Sequence, residues 1–196
     1  MTLLEQFLTL GFINLGLIAA VGAILGYTAL LDAENSKLKG STRVLAGILI
    51  FGIIAIVGTY TATTLGAAYN FRDGGVISGG LFFGGPAGIG AAILAVAYRA
   101  TLGGVTMIPC LIGTMLAGII SGYLYHLYRD KITVLTATLA ALGIELLHAL
   151  LVIIWLPGGE GWEIVVHTPA GWFIVMSTMS VLVFSLSYTT MKNRRG

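Results

Sequence analysis

Six stretches of this chain hold about 20 or more predominantly apolar residues, the length a helix needs to cross a bilayer at about 1.5 Å per residue. They run over residues 7–31, 44–68, 76–98, 105–128, 132–155 and 172–191. Polar positions gather in the short connections: Lys37, Lys39 and Arg43 after the first stretch, and Arg129 and Lys131 after the fourth. Before the sixth comes the turn-rich loop PGGEGWEIVVHTPAG, in which Trp162 to Val166 is compatible with a short strand. Trp155, Trp162 and Trp172 flank this loop as interfacial aromatics do. His126 and Tyr128, beside Arg129, read as interfacial anchors in the same way. Gly22/Gly26 and Gly118/Gly122 have the spacing that lets helix backbones approach closely, and packing within the bundle is the first reading of both pairs.

The third stretch differs from the rest. It is rich in glycine, it has Gly84, Gly85 and Pro86 at its middle, and Arg72 and Arg99 bracket it. Proline removes an amide donor and glycine tolerates unusual dihedrals, so a break is expected at Gly84–Gly85–Pro86. An unbroken helix over 76–98 would be about 34 Å long and would separate the arginines onto opposite faces of the membrane.

Counting loop charges separates two topologies. With six full crossings and an inside C-terminus, Arg72, Arg129, Lys131, Lys192, Arg194 and Arg195 lie inside against Lys37, Lys39, Arg43 and Arg99 outside, six to four. If the third stretch instead enters and leaves on one side, only Arg72 and Arg99 are outside, eight to two, a much stronger positive-inside bias. The expected fold is therefore an all-α membrane protein, a polytopic helical bundle of five full crossings plus a re-entrant or broken glycine-rich segment, with six full crossings as the alternative. Backbone broken at membrane depth is tolerated only when it is buried in protein or lines a cavity.

Composition agrees with lipid as the solvent. Charged residues are 9% of the 196, hydrophobic residues 57%, and mean hydropathy is +0.98. The opening MTLLEQ lacks the basic region of a signal peptide, so the first stretch is expected to remain as a membrane helix. A net charge of +2 with no basic run gives no sign of nucleic-acid binding. One cysteine, Cys110, excludes an internal disulfide, and no zinc motif, P-loop or nucleophile elbow is present. No cofactor or metal is expected. Residues 1–196 read as a single transmembrane domain without a soluble output domain, located in the plasma or inner membrane with a cytoplasmic C-terminus, and with no catalysis of its own.

Two groups of residues carry candidate chemistry. The first joins Arg72 and Arg99 to the start of the fourth stretch, where Thr106 is a plausible N-cap, Pro109 suits a first turn and Cys110 and Thr114 share a helical face. Guanidinium groups bind carboxylates bidentately, and the amides around Cys110 are expected to be free to help, so these residues suit a small carboxylate. Asn70 would orient Arg72 or the ligand, Cys110 and Thr114 would contact a neighbouring carbonyl or hydroxyl, and Arg72 pairing simply with Asp73 is the plainer alternative. The second group is Glu145 and His148, three apart deep in an apolar segment, a proton-sensitive or signal-relaying pair. Packing by a satisfied interhelical hydrogen bond is its plainer reading.

Asn70-Phe71-Arg72, Gly80-Leu81, Gly84-Gly85-Pro86, Gly88, Tyr98-Arg99, Gly103-Gly104 and Gly118, in that order and spacing, resemble the five-transmembrane receptor domain of the LytS and YhcK type, over roughly residues 22–188. The resemblance implies a sensor joined to a cytoplasmic histidine kinase or diguanylate cyclase, acting as a homodimer in cell-wall control or nutrient sensing. Some LytS-like kinases respond to extracellular pyruvate, and the resemblance places Arg72, Arg99 and Cys110 where such a pocket lies. The chain departs from that pattern at Gly113, where a small hydroxyl is expected, and Thr114 is adjacent. A substrate-binding membrane subunit of a small-solute importer, also built from glycine-rich membrane segments, is the alternative.

Overall fold

The computed structural model describes residues 3–32, 36–64 and 71–195, and every element among them is helical. Five helices are long and apolar enough to cross a membrane: α1 (Leu3–Thr28), α2 (Gly40–Thr64), α5 (Met107–Tyr128), α6 (Val134–Trp155) and α8 (Phe173–Arg195). They are apolar nearly all round, as helices surrounded by lipid must be. Their hydroxyls turn back onto the carbonyl one turn earlier, as Thr59 does to Ala55, Ser180 to Met176 and Thr189 to Ser185. That satisfies polar groups where water is absent.

The remaining apolar stretch is two short helices, α3 (Arg72–Phe83) and α4 (Gly85–Ala100). Gly84 separates them with φ 91° and ψ 173°, in the positive-φ region that a side chain disfavours, and Pro86 sits in the first turn of α4, where a missing amide costs nothing. The lengths, about 18 Å and 24 Å, both fall short of a hydrocarbon core about 30 Å thick. The two helices fold back against each other so closely that a Cβ on Gly88 would sit 2.6 Å from the Gly80 Cα. The broken segment is thus a helical hairpin, and Arg72 and Arg99 lie at its one open end. Of the two topologies compatible with the sequence, the broken one is observed.

Around this hairpin the small residues make seams inside the chain. A Cβ on Gly118 would meet the Gly88 carbonyl oxygen at 2.8 Å, and Gly122 abuts Gly85, so α5 lies flush on α4. A Cβ on Gly22 would meet the Phe184 carbonyl oxygen at 2.8 Å, and Gly26 abuts Tyr188, which joins α1 to α8. Both pairs therefore serve packing within the bundle. The far end of α3 is anchored by aromatic rings: Phe82 and Phe83 meet Phe184 and Tyr188 of α8 with centroids 5.3 to 6.3 Å apart.

The loop before α8 corrects one expectation. Residues 162–166 form no strand; after a 3₁₀ turn (Pro157–Gly159) the short α7 (Glu160–Trp162) runs into a π-helical turn, Glu163–His167. Gly158 and Gly159, at φ 65° and 84°, reverse the chain so that Gly161 rests on the Val152–Ile153 backbone of α6, and among the described residues there is no strand for it to pair with. Trp155, Trp162 and Trp172 stay exposed, as interfacial aromatics do.

Gly88→Ala should lower stability by about 1–3 kcal/mol through overpacking of the hairpin. Gly143→Ala, on an exposed face with open space around it, should change it by less than about 0.5 kcal/mol. Thermal midpoints in detergent separate the two, and equal midpoints would contradict the close packing of α3 on α4.

Candidate ligand and relay site

Members of both groups singled out in the sequence meet: Arg72 and Thr114 of the first and His148 of the second are joined through Asp73. Asp73, in the first turn of α3, is wholly buried and sits at its centre. Its Oδ1 accepts from Arg72 Nε at 3.1 Å and from the Thr114 hydroxyl of α5 at 2.7 Å. Its Oδ2 meets His148 Nδ1 of α6 at 2.8 Å. Three helices are therefore joined through one carboxylate. Arg72 and His148 are only 1% and 2% exposed, so these contacts form out of reach of bulk solvent. An ionised carboxylate can only accept, so Nδ1 carries the imidazole proton and Nε2 points away from Asp73.

The imidazole is fixed from two further sides. The Phe173 ring of α8 lies against it at 5.0 Å between centroids. On the α5 side, a Cβ at Gly113 would come within 2.6 Å of His148 Cγ and 2.8 Å of its Nε2, so the ring lies on bare backbone. The missing side chain at residue 113 is the reason His148 can approach α5 this closely. Its Nε2 makes no hydrogen bond of good geometry, and Cys110 lies about one turn before Gly113 on α5.

Glu145, one turn before His148, is fully buried beside Ser177 of α8, with Oε2 3.9 Å from His148 Nδ1. Neither of its oxygens has a hydrogen-bond partner of good geometry. Asp73, Glu145 and His148 bring one ligand atom each within 4.8 Å of one another, a spacing a metal ion could bridge. The Arg72 guanidinium on Asp73 opposes a further cation there.

Several expectations are refined. Thr114 does face the site, but its hydroxyl proton is committed to Asp73. Arg99 lies at the rim, where it holds the α4–α5 connection, donating to the Gly103 carbonyl at 2.6 Å and to the Thr106 hydroxyl at 3.4 Å. Thr106 is the N-cap residue of α5, yet its side chain serves Arg99 and does not cap. The Cys110 amide already donates to the Thr106 carbonyl at 3.1 Å, so it is not a free anion donor as expected. Asn70 lies outside the described residues. The residue that sequence reasoning undervalued is Asp73, whose signal was an acid beside an arginine in an apolar run.

Comparison with known proteins agrees with this architecture. Residues 26–190 match the family described as 5TMR of 5TMR-LYT. The chain is 35% identical over 122 residues to the sensor histidine kinase YpdA of Escherichia coli K12, covering 59% of this chain and 21% of that protein. It is 27% identical over 191 residues to the sensor protein LytS of Bacillus cereus, covering 88% of this chain and 32% of the relative. The LytS of Bacillus subtilis is likewise 27% identical, over 195 residues, covering 88% and 33%. The chain thus spans about a third or less of the length of these relatives. No solved structure matches it. The named relatives are sensors, which favours sensing over the importer alternative. By its helical architecture and by a family match over most of its length, the chain belongs to the 5TMR-LYT family of membrane sensor domains.

Proposed function

We propose that this chain is the single-domain input module of a LytS-type receptor, binding a small extracellular carboxylate such as pyruvate and controlling a cytoplasmic histidine kinase or diguanylate cyclase as a homodimer. What supports the reading is that Arg72 at the start of α3 and Arg99 at the end of α4 share the open end of the hairpin, where Arg99 also holds the connection leading into α5 and Cys110. Two guanidinium groups, Arg72 buried and Arg99 half-buried at the rim, suit a carboxylate better than any neutral solute. Catalysis is assigned to an output region outside this chain, in keeping with a relative named as a sensor histidine kinase.

The route to the output starts in the same place. Asp73 ties the arginine to His148, and His148 touches Phe173 at the start of α8, whose other end carries Lys192, Arg194 and Arg195. Those basic residues suit the inner membrane face. Glu145 and His148 serve as the relay pair. A ligand shifts the helices only by binding one packing more tightly than the other, and Arg72 is the group that both ligand and Asp73 engage.

Calorimetric titration with pyruvate should show binding by the wild type and a loss of about tenfold or more in Arg99→Ala, since a hydrogen bond to a charged group contributes about 1.5–3 kcal/mol. Arg72→Ala, Arg99→Ala together should abolish it, and equal binding by this variant would refute the pocket. Orientation is tested in cells with a Cys110→Ala background. A membrane-impermeant thiol reagent should label Thr101→Cys from outside and fail to reach Lys37→Cys. The reverse pattern would overturn an extracellular site.

A further inference from the structure

The three helices that Asp73 joins near one end of the bundle leave a gap between them near the other. Leu81 lies eight residues after Asp73, about 12 Å further along α3. It forms the buried floor of a groove of about 380 Å³ between α3, α5 and α6. Leu124 of α5, Leu139 of α6 and Ile132 from the connection between these two helices supply apolar walls. Leu139 is exposed and Leu124 and Ile132 are half-buried, so the groove opens on the outer surface of the bundle. Its polar lining comes from one level: Tyr128, the last residue of α5, Lys131 in the 3₁₀ turn Arg129–Lys131, and Thr136 in the first turn of α6. Lys131 is exposed and has no ion-pair partner among the described residues. With Arg129 before it and Asp130 between them, that turn has a formal charge of +1.

Shape and charge together select the occupant. One turn of a helix about 10 Å across occupies roughly 420 Å³, so a neighbouring helix is too thick to enter. A hydrocarbon tail is thin enough, and the apolar walls meet it on several sides where a plain helix face meets it on one. At the surface end, an ammonium group suits a phosphate as a point charge. An apolar tail attached to a phosphate is the chemistry of an anionic phospholipid.

We propose that this groove binds one anionic phospholipid, with an acyl chain laid over Leu81 between α5 and α6 and the headgroup phosphate on Lys131. The bound chain touches each of the three helices that share Asp73, at the level where they separate. The site is therefore sensitive to the same packing that Asp73 fixes, and it is distinct from the open end of the hairpin. A lysine that only snorkels to water needs no groove beside it. Boundary lipid on a smooth helix face, in turn, is indifferent both to Lys131 and to the volume at Leu139.

The test is native mass spectrometry of the delipidated chain in detergent, titrated with phosphatidylglycerol or with phosphatidylcholine of the same acyl chains. The wild type should hold one phosphatidylglycerol about fivefold more tightly than phosphatidylcholine, the effect of one basic residue at an anionic headgroup. Lys131→Gln, at an exposed position, should remove that preference and leave phosphatidylcholine binding unchanged. Leu139→Trp, which fills the groove without altering charge, should lose either lipid, and Leu124→Trp gives the same reading from the opposite wall. Equal affinity of the wild type for the two lipids would overturn the headgroup contact whether or not any variant folds. Phosphatidylglycerol binding unchanged in groove-filling variants of wild-type thermal midpoint would mark boundary lipid and overturn the site. Glycerol 3-phosphate, which carries the phosphate without tails, should fail to displace the lipid; displacement would reduce the site to a phosphate contact and overturn the role of the groove. A wild type that binds neither lipid but forms a dimer that Leu139→Trp breaks would make this face an interface between copies, and the proposal would fall.

Discussion

One buried carboxylate holds the membrane core of this protein in register. Asp73 takes a guanidinium from its own helix, a hydroxyl from α5 and an imidazole from α6, all out of reach of water. Removing one partner of such a buried pair costs about 3–5 kcal/mol, because the remaining charge has no solvent to turn to. The positions of α3, α5 and α6 are therefore coupled: a shift of one that breaks a contact to Asp73 leaves an unsatisfied group in a medium of low dielectric. Hydrophobic packing in lipid supplies no comparable constraint, since apolar helix faces are as well accommodated by lipid tails as by each other.

The hairpin delivers Asp73 to that position. A spanning helix starting at Arg72 would carry its far end across the bilayer, whereas the break at Gly84 stops α3 after 12 residues and returns α4 alongside it. Irregular backbone at this depth survives because it is covered by protein. Gly84 donates to the Gly80 carbonyl at 3.1 Å, and its own carbonyl accepts from Ala87 and Gly88. Close approach requires bare backbone at Gly80 and Gly88, and the same economy of volume lets α5 and α8 close over the outside. With Phe82 and Phe83 seated on Phe184 and Tyr188, α3 touches α8 at the end opposite Asp73 as well.

Much of this was legible in the sequence, for physical reasons that differ by element. The spanning helices are set by length and hydropathy, and the break by Gly84–Gly85–Pro86, because backbone chemistry is local. The union of Arg72 with Glu145 and His148 was not legible, since 75 residues separate Asp73 from His148 and no periodicity links them. Asp73 itself looked like a local partner for Arg72, which it is; its bonds to α5 and α6 depend on packing. The strand expected at residues 162–166 failed because β-branched residues favour extended backbone only where a partner strand exists. The amide of Cys110 was misjudged although Thr106 is the N-cap as expected: residue 110 is the first whose amide closes an α-helical turn onto the N-cap carbonyl, so it is already paired.

Stability alone does not account for such a network. Replacing a buried ionic cluster by well-packed apolar residues is often neutral or stabilising, so its presence here answers a different demand. That demand is discreteness. Apolar contacts between lipid-embedded helices degrade gradually as the helices slide, whereas the contacts of Asp73 are made or lost within a fraction of an ångström. On the proposed reading, a group that competes for Arg72 from the open end of the hairpin would alter the balance at Asp73, and therefore at His148 and at Phe173 on α8. Packed side chains are bistable where hydrogen bonds choose between partners. On that reading, the same carboxylate that fixes the helices at rest would be the place where a small differential affinity is converted into a choice between two packings.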